Sequence, residues 1–530
     1  MSGKGKSMGG FMKKYLIFFL AAVVWAQENV SSTIVLPDVK IVLEGDTSIP
    51  LQDQTNIGLS GQDIDFGRVD LAELAYLRKS EYYKAELTNQ RKSPSFSLSS
   101  FRLWYGTSEN LFSDITIGKR IDKLNYLVSY LRNSRGSLTL SNDRLYNTEL
   151  KVDDIQVDVI AMLSPNWEFQ TEVGYYIREL GLYTNRASLS EQVRYFPGKI
   201  GLSFIPDSYS AFTVSVEGNY FERQHKLTSA SYTNQPLYHF SPAFRYEANW
   251  SKDNFLRLDG QYLYIFQDMI FHEGDVGFFD RLNVVSSFSL DVGARLYFSS
   301  RDPFFWYPIV MARYRYTDVL LFMVGIEGER KRFLGGNFVE ENQYIFSNAV
   351  RADRWSPVVS VQYMPSEDLM LKGSVFYHSY SAYPNPVYQQ GIDLFTYEEL
   401  PNVSILAVEG GLEWKPVKKL LSRTTVSYML PFTSSLYEVM PLVVSSLLEW
   451  QWDTIGLTTS VKGTYYTSVI VASGATLPDA LIVNASFSEL IGKDFYIEFM
   501  VNNLLNQNHF QRPSLPDGGI QLALGIRILL

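Results

Sequence analysis

The last segment of the chain alternates with period two. Ile520, Leu522, Leu524, Ile526 and Ile528 are aliphatic, while Gln521, Ala523, Gly525 and Arg527 between them are small or polar. Successive side chains of a strand point to opposite faces, so one face of this segment is apolar and the other is wet. About ten residues of this kind suit a wall with hydrocarbon on one side and a polar lumen on the other. The pattern recurs upstream. Ile155, Val157, Val159, Ala161 and Leu163 alternate with Gln156 and Asp158, and Ser164-Pro165-Asn166 turns the chain. The return segment sets Trp167, Phe169, Val173, Tyr175 and Ile177 against Glu168, Gln170, Glu172 and Arg178. Phe244, Tyr246, Ala248 and Trp250 oppose Arg245, Glu247 and Asn249, and Leu256, Leu258, Tyr262 and Tyr264 oppose Arg257, Asp259 and Gln261.

The connections are of two kinds. Tight polar turns are expected at 251–254, Ser300-Arg301-Asp302, Pro365-Ser366-Glu367, 415–419, Trp452-Asp453 and Ile491-Gly492-Lys493. Longer connectors are expected at 224–240, 267–283, 329–353, 380–402 and 504–518. Short turns on one face and long loops on the other mark the periplasmic and extracellular sides of an outer-membrane barrel. The expected fold is therefore all-β, a large antiparallel transmembrane β-barrel over residues 95–530. At about 9–11 residues per crossing it has about 18–22 strands, with 22 the best fit and both termini periplasmic.

The N-terminus supports that compartment. Lys4, Lys6, Lys13 and Lys14 precede an apolar run from Tyr15 to Trp25, and Val24 and Ala26 are small residues ahead of Gln27. This reads as a signal peptide over residues 1–26, too short to span a bilayer. Without its four lysines the chain carries 43 basic against 56 acidic residues, a net of −13, which offers nothing to nucleic acid. Cysteine is absent, which excludes thiolate metal sites and Cys nucleophiles. The 35 Tyr and 34 Phe suit girdles at the two membrane interfaces, where an apolar ring with a polar edge is at home.

The stretch Val501-Asn502-Asn503-Leu504-Leu505-Asn506, followed by a loop with Pro513 and Pro516 and then Gly518-Gly519, resembles the end of TonB-dependent outer-membrane receptors. There the penultimate strand closes on a similar phrase. The resemblance covers about forty residues and implies a nutrient-uptake barrel of the outer membrane. Ser32 to Gly45 looks like the leader of such receptors, which makes Thr33, Ile34 and Val35 the expected contact with a TonB-type energy coupler, by strand addition to an extended edge. The chain departs from the family in two places. Residues 27–94 are too few for a full plug and are read as a vestigial plug or linker, periplasmic or lumenal, which leaves room for a separate plug or lipoprotein partner. Leu530 replaces the aromatic terminus usual for recognition by the barrel-assembly machinery.

No catalytic pattern stands out. His225, His239, His272, His378 and His509 are scattered without ligand spacing, and no P-loop, Gly-x-Ser-x-Gly elbow or dinucleotide fingerprint occurs. The expectation is a protein that is not an enzyme and takes no metal or cofactor. Phe271, Phe278, Phe279, Tyr383, Tyr388, Tyr397 and Phe510 are the expected ligand-contact aromatics of the outer loops, since rings stack on sugars or apolar ligands at low entropy cost. Arg178, Arg245, Arg257, Arg295, Glu413, Arg423, Glu498 and Arg527 are the expected lumen-lining charges, serving either a polar route or internal bracing. Outer-membrane lipid is the expected surround. The alternative to transport is a structural or adhesin-like barrel that partners a periplasmic or surface complex.

Overall fold

The computed structural model describes residues 97–529, apart from 137–148, 182–189, 227–230, 334–349, 390–393, 471–475 and shorter stretches of one to three residues. The signal segment 1–26 and residues 27–94, with Thr33, Ile34 and Val35, lie outside the described residues. In hydrocarbon no water can satisfy an unpaired backbone group, so a spanning sheet has to close on itself. This one does. Twenty-two antiparallel strands form a ring. The first, Ser97–Gly106, pairs with Asn110–Ile121 on one side and with the last, Gln521–Leu529, on the other, with Leu103 opposite Ile526. Two further strands, Ser231–Thr233 and Leu394–Leu400, extend the ends of Ser210–Lys226 and Leu369–Gln389 as hairpins.

Connections such as 122–123, 165–166, 286–287, 318–319 and 418–419 are two residues long and lie on one side of the ring, where the last strand ends. The strand ends that flank 136–149, 334–349, 432–441 and 503–520 lie on the other side. In the turn after Ser190–Phe204, Asp207 accepts hydrogen bonds from the backbone N–H groups of Tyr209 (2.7 Å) and Ser210 (2.8 Å) and from the Ser210 hydroxyl. The Tyr209 N–H first, then the Ser210 donors, hold its carboxyl below the usual range.

One stretch corrects the sequence reading. The expected connector 267–283 is mostly the wall strand Ile270–Val285, so Phe271, Phe278 and Phe279 are wall residues and not loop residues. Within it Gly274 and Gly277 are each seated under a neighbour. A Cβ at Gly274 would meet the Phe298 ring at 2.3 Å, and one at Gly277 the Arg295 guanidinium at 2.7 Å. The turn at 286–287 that follows moves the next connection to the opposite side. The Ser300-Arg301-Asp302 turn therefore belongs to the extracellular end, and a further tight turn at 318–319 restores the order.

Which face is which follows from the registers. On the outer face Trp167 stands opposite Phe204 and Phe204 opposite Phe212, with the Trp167 and Phe204 ring centroids 4.8 Å apart. Above them lies an aliphatic field that includes Val157, Val159, Val173, Ile200, Leu202, Val214 and Val216. A second row then crosses six strands through Tyr130, Ile155, Tyr175, Phe196, Tyr220 and Tyr238, aromatic on five of them, with ring centroids 4.7–5.7 Å apart from Tyr175 onward. From Trp167 to Tyr175 is about 27 Å along the strand, or about 20 Å across the membrane at the usual barrel tilt. Aromatic residues thus bound the aliphatic field at both ends of these strands, and the field between them is the lipid-facing band.

The corner resembling the receptor phrase is built from asparagines. Asn503 and Asn506 take left-handed backbone conformations (φ 52° and 51°), which Asn tolerates better than most residues. Asn503 donates from Nδ2 to the Gln507 carbonyl at 2.8 Å and accepts from the Gln507 N–H at 3.0 Å. Its own N–H donates to Asn484 on the neighbouring strand Ala480–Ile491 at 2.8 Å. Asn506 accepts from the Ile520 N–H, which ties the corner to the start of the last strand.

Val173 lies mid-band on the outer face and is 55% exposed. Val173→Arg should cost about 2–4 kcal/mol of urea-unfolding stability in lipid vesicles, whereas the same change at inward-facing Gln170 should cost under about 1 kcal/mol. Equal losses at the two sites would contradict the facing assigned here.

Candidate functional site

The lumen is lined by charges that the strand registers bring into groups. At the seam where the ring closes, Glu498 sits between Arg527 (3.1 Å) and Arg102 (3.7 Å). The three belong to Phe495–Asn502, the last strand and the first strand, so the triad spans the closure. The Arg527 guanidinium also lies over the Tyr496 ring, 4.3 Å from its centroid. Trp104 covers Gly525, whose added Cβ would meet that indole at 2.8 Å.

A longer ladder runs across Phe255–Phe266, Ile270–Val285, Phe288–Ser299 and Phe305–Thr317. Arg245, Asp259, Gly277, Arg295 and Tyr307 form one cross-strand row. With no side chain at Gly277, Arg295 reaches across it to Asp259 and donates also to Asp275 at 2.5 Å. Arg257 pairs with Asp259 at 3.3 Å. Two inward rows toward the periplasm, Arg281 binds Asp291 with two bonds, 2.8 and 3.0 Å, and Arg313 binds the same carboxylate at 2.5 Å. Phe279 lies between these levels, with Arg257 and Arg281 over its ring at 5.2 and 5.8 Å. Charge-assisted bonds of this number brace a wide wall from within.

Nearer the extracellular end a third group is fully enclosed. Glu191 accepts from Arg178 at 2.6 Å and pairs with Arg223 at 3.6 Å, and all three side chains are buried. Val193, Phe221, Leu237, Ile265 and Phe271 pack beside them. Farther round, the inner face turns apolar at Met311, Met323, Val358, Phe376 and Ala407. Above it Tyr380, Tyr383, Val403 and Ile405 form a cluster against which Leu436 of the 432–441 connection packs, and the Tyr437 N–H donates to buried Asn385 at 3.2 Å.

The structure therefore places the expected site residues unevenly. Arg178, Arg257, Arg295, Glu413, Arg423, Glu498 and Arg527 all make ion pairs, Glu413 with Arg423 at 3.1 Å, and Arg245 is exposed on the inner face. The four expected loop aromatics whose side chains are described do not converge. Phe271 and Phe279 are buried, and Phe278 lies on the outer face at 46% exposure. Tyr383 is buried in the wall-strand extension and not presented on a loop. Tyr388 and Tyr397 belong to the strands of the Leu369–Gln389 and Leu394–Leu400 hairpin and Phe510 to the short strand Phe510–Arg512, with side chains outside the described residues. Sequence reasoning missed Glu191, Arg223, Asp275, Asp291, Arg281, Arg313 and Arg102, and placed Asp259 on the polar face without a role. Asp291, Arg313 and Arg102 sit at polar positions of alternating segments, which is the signal that could have found them, whereas Glu191 and Arg223 have polar neighbours on both faces and Asp275 and Arg281 lie in the stretch read as a connector.

The three histidines whose side chains are described serve the scaffold. His239 Nδ1 meets Asn219 at 3.0 Å, and His272 meets the Tyr262 hydroxyl at 2.8 Å in the outer aromatic row. His378 Nδ1 meets Ser356 Oγ at 2.8 Å, but both residues are buried, so the pair is not presented to a solute. Among the described residues no group of three or more His, Cys, Asp or Glu is placed to hold a metal ion.

A closed 22-strand ring with an apolar exterior bounded by aromatic residues and an ion-paired interior is a large outer-membrane β-barrel. No protein-family model and no curated protein matches the sequence. Solved structures match the fold. A variant of the ferric enterobactin receptor PfeA of Pseudomonas aeruginosa aligns with TM-score 0.65 and 11% identity over 83% of this chain and 81% of that one. The copper transporter OprC aligns with TM-score 0.69 and 10% identity over 83% and 81%. The FrpB iron transporter of Neisseria meningitidis aligns with TM-score 0.65 and 10% identity over 82% and 81%. At such identities the likeness is one of fold, and it is to a receptor and two transporters.

Glu498→Ala would leave the Arg102 and Arg527 guanidinia facing each other across the seam. A loss of about 2–4 kcal/mol is expected in urea unfolding followed by tryptophan fluorescence, and adding Arg527→Leu should recover part of it. Strictly additive losses would show that the triad is not coupled.

Proposed function

We propose that this protein is an outer-membrane uptake barrel, admitting a small solute at the extracellular mouth and passing it along the lumen toward the periplasm. The observation that carries this reading is the closed ring around an interior lined by paired charges. Bracing alone explains the pairs, but a wide polar conduit is also what a solute crossing the outer membrane needs. The likeness in fold to structures described as iron and copper transporters and a siderophore receptor supports it.

In this reading residues 27–94 partly obstruct the lumen, and Thr33, Ile34 and Val35 offer an extended edge to a TonB-type energy coupler. Solute flux through the purified protein in liposomes tests the proposal. Full-length protein should show low flux, and deletion of residues 27–94 should raise it severalfold. Absence of flux in both forms would overturn transport. In cells, Val35→Pro, which removes a donor from the proposed pairing edge, should abolish energised uptake without lowering the amount of folded barrel.

A further inference from the structure

At the extracellular mouth the wall does not run on as one layer. The ladder between Phe305–Thr317 and Leu320–Phe333 stops at Val310 opposite Ile326, although both strands continue upward. Phe305–Thr317 stays paired to Phe288–Ser299 as far as Phe305 opposite Tyr297, and Leu320–Phe333 stays paired to Val350–Ser366 as far as Phe333 opposite Val350. The cause is in the sequence. N–H groups alternate in direction along a strand, and the Arg315 N–H donates to the Ser287 carbonyl, toward Phe288–Ser299. Seven residues earlier, Pro308 lacks the N–H that would point the other way, toward Leu320–Phe333. Pro357 stands opposite Ile326, and the pairing of its strand with Leu369–Gln389 skips Ser356 and Pro357. Two prolines at nearly one height thus free both flanks of the strand pair Leu320–Phe333 and Val350–Ser366. Pro308 is ten residues above the turn at 318–319. That is about 33 Å along the strand and about 24 Å in height, at the top of the apolar band, so the split leaves no unpaired backbone deep in hydrocarbon.

Above that height the two freed edges overlap. Low on Leu320–Phe333 the outward positions are open, with Phe322 37% and Val324 54% exposed, but Gly328 is buried and Arg330 is 5% exposed. What covers them is the inner face of the neighbouring strands. Tyr307 stands directly opposite Arg295, and Tyr297 opposite Phe305, so these three rings share the lumenal face with Arg295. A Cβ added at Gly328 would lie 2.5 Å from Cβ and Cγ of Tyr307. The Arg330 guanidinium lies 5.0 and 5.6 Å from the Phe305 and Tyr297 ring centroids and donates to the Pro303 carbonyl at 3.4 Å. Asp353 holds that guanidinium with two bonds, 2.7 and 2.9 Å. Trp355 sits at the split, its ring 6.3 and 6.0 Å from those of Phe305 and Trp306. An outward position on one strand meets inward rings on the next only where the first strand passes inside the second. The other face of the pair is covered as well. Arg354 and Ser356 are buried, and Leu436 packs against the cluster of Ala352 and Tyr380.

We infer that the upper ends of Leu320–Phe333 and Val350–Ser366 form a fixed inner lip, lapped inside the upper ends of Phe288–Ser299 and Phe305–Thr317, and that this lip sets the size limit for solutes entering the mouth. Packed sheets lie about 10 Å apart, so the lap takes about that much from the mouth on this arc. A bidentate ion pair buried between the layers, and prolines that forbid re-pairing at the split, keep the lip folded in. It is part of the wall and does not depend on cargo to close it. The lip is read from packing alone, whereas its role as a size limit rests on the transport reading above.

Disulfide trapping reads the lap directly, because the chain has no cysteine. Tyr307→Cys with Gly328→Cys should cross-link within one full-length molecule on mild oxidation in outer membranes. Their Cβ positions are closer than the roughly 3.5–4.5 Å of a disulfide, and loss of the Tyr307 ring gives room to relax. In a wall that ran straight on, Tyr307 would face Glu329 and Gly328 would point to the opposite side, so Tyr307→Cys with Glu329→Cys should give much less. Cross-linking of the second pair in preference to the first, or of neither, would overturn the lip. Swelling of liposomes holding the full-length protein, in mono- to tetrasaccharides, reads the size limit. Gly328→Phe wedges the lap apart and should raise tetrasaccharide flux relative to monosaccharide flux severalfold. Gly373→Phe, beside open space on the outer face, should leave that ratio unchanged. Heat-modifiable gel migration reports folding; should Gly328→Phe not fold, Asp353→Ala, which takes the carboxylate from Arg330, should move the ratio the same way. Unchanged selectivity in a folded variant, with flux present, would overturn the size limit alone. Absence of flux for every sugar in every form would overturn the transport reading and the size limit together, with the lip still decided by the cross-link.

Discussion

Backbone hydrogen bonding in a medium without water governs this molecule. Each N–H and C=O in the hydrocarbon needs a partner within the protein, and a sheet can supply all of them only by joining its last strand to its first. The pairing of Ser97–Gly106 with Gln521–Leu529 does this, and it joins segments more than 400 residues apart in the chain. Closure then fixes the rest. With no free edge, each strand has one face toward lipid and one toward an enclosed interior, and period-two alternation distributes the side chains between them.

Closure also creates the problem that the interior solves. A ring of this width cannot fill its lumen with wall side chains, so polar groups turned inward must find partners along the wall itself. Shared carboxylates meet that need economically. Asp291 takes Arg281 and Arg313, Glu191 takes Arg178 and Arg223, and Glu498 takes Arg527 and Arg102. In each case the carboxylate is the more enclosed member or fully enclosed with its partners, and the groups stand on neighbouring strands. Ion pairs that stitch strand to strand resist the shear that would reopen a seam.

Much of this architecture was legible in the chain. The alternation of Ile520 to Ile528 announced a lipid-facing strand, and the Asn503-Leu504-Leu505-Asn506 phrase announced a corner that the structure shows to be a set of asparagine hydrogen bonds. The segment 267–283 was misread because Gly274 and Gly277 interrupt its alternation. Their role is visible only when the rings of Phe298 and Tyr262 and the guanidinium of Arg295 are seen over them. The candidate site was less legible than the fold. A sequence shows that Arg178 faces inward but not that its register brings Glu191 to it, since that depends on the turn between two strands. Phe279 illustrates the same limit, an aromatic read as loop chemistry that is held between two guanidinia.

The closed ring can be tested directly because the chain has no cysteine of its own. Leu103→Cys and Ile526→Cys place a pair at directly opposed positions of the first and last strands, where cross-strand Cα atoms lie about 4.5–5.5 Å apart. Mild oxidation of the protein in outer membranes should give a disulfide within one molecule, seen as a shifted band on a denaturing gel, while Leu103→Cys with Leu522→Cys, four residues out of register, should give little. An absent intramolecular disulfide in correctly inserted protein, or one formed between molecules, would contradict the closed 22-strand ring.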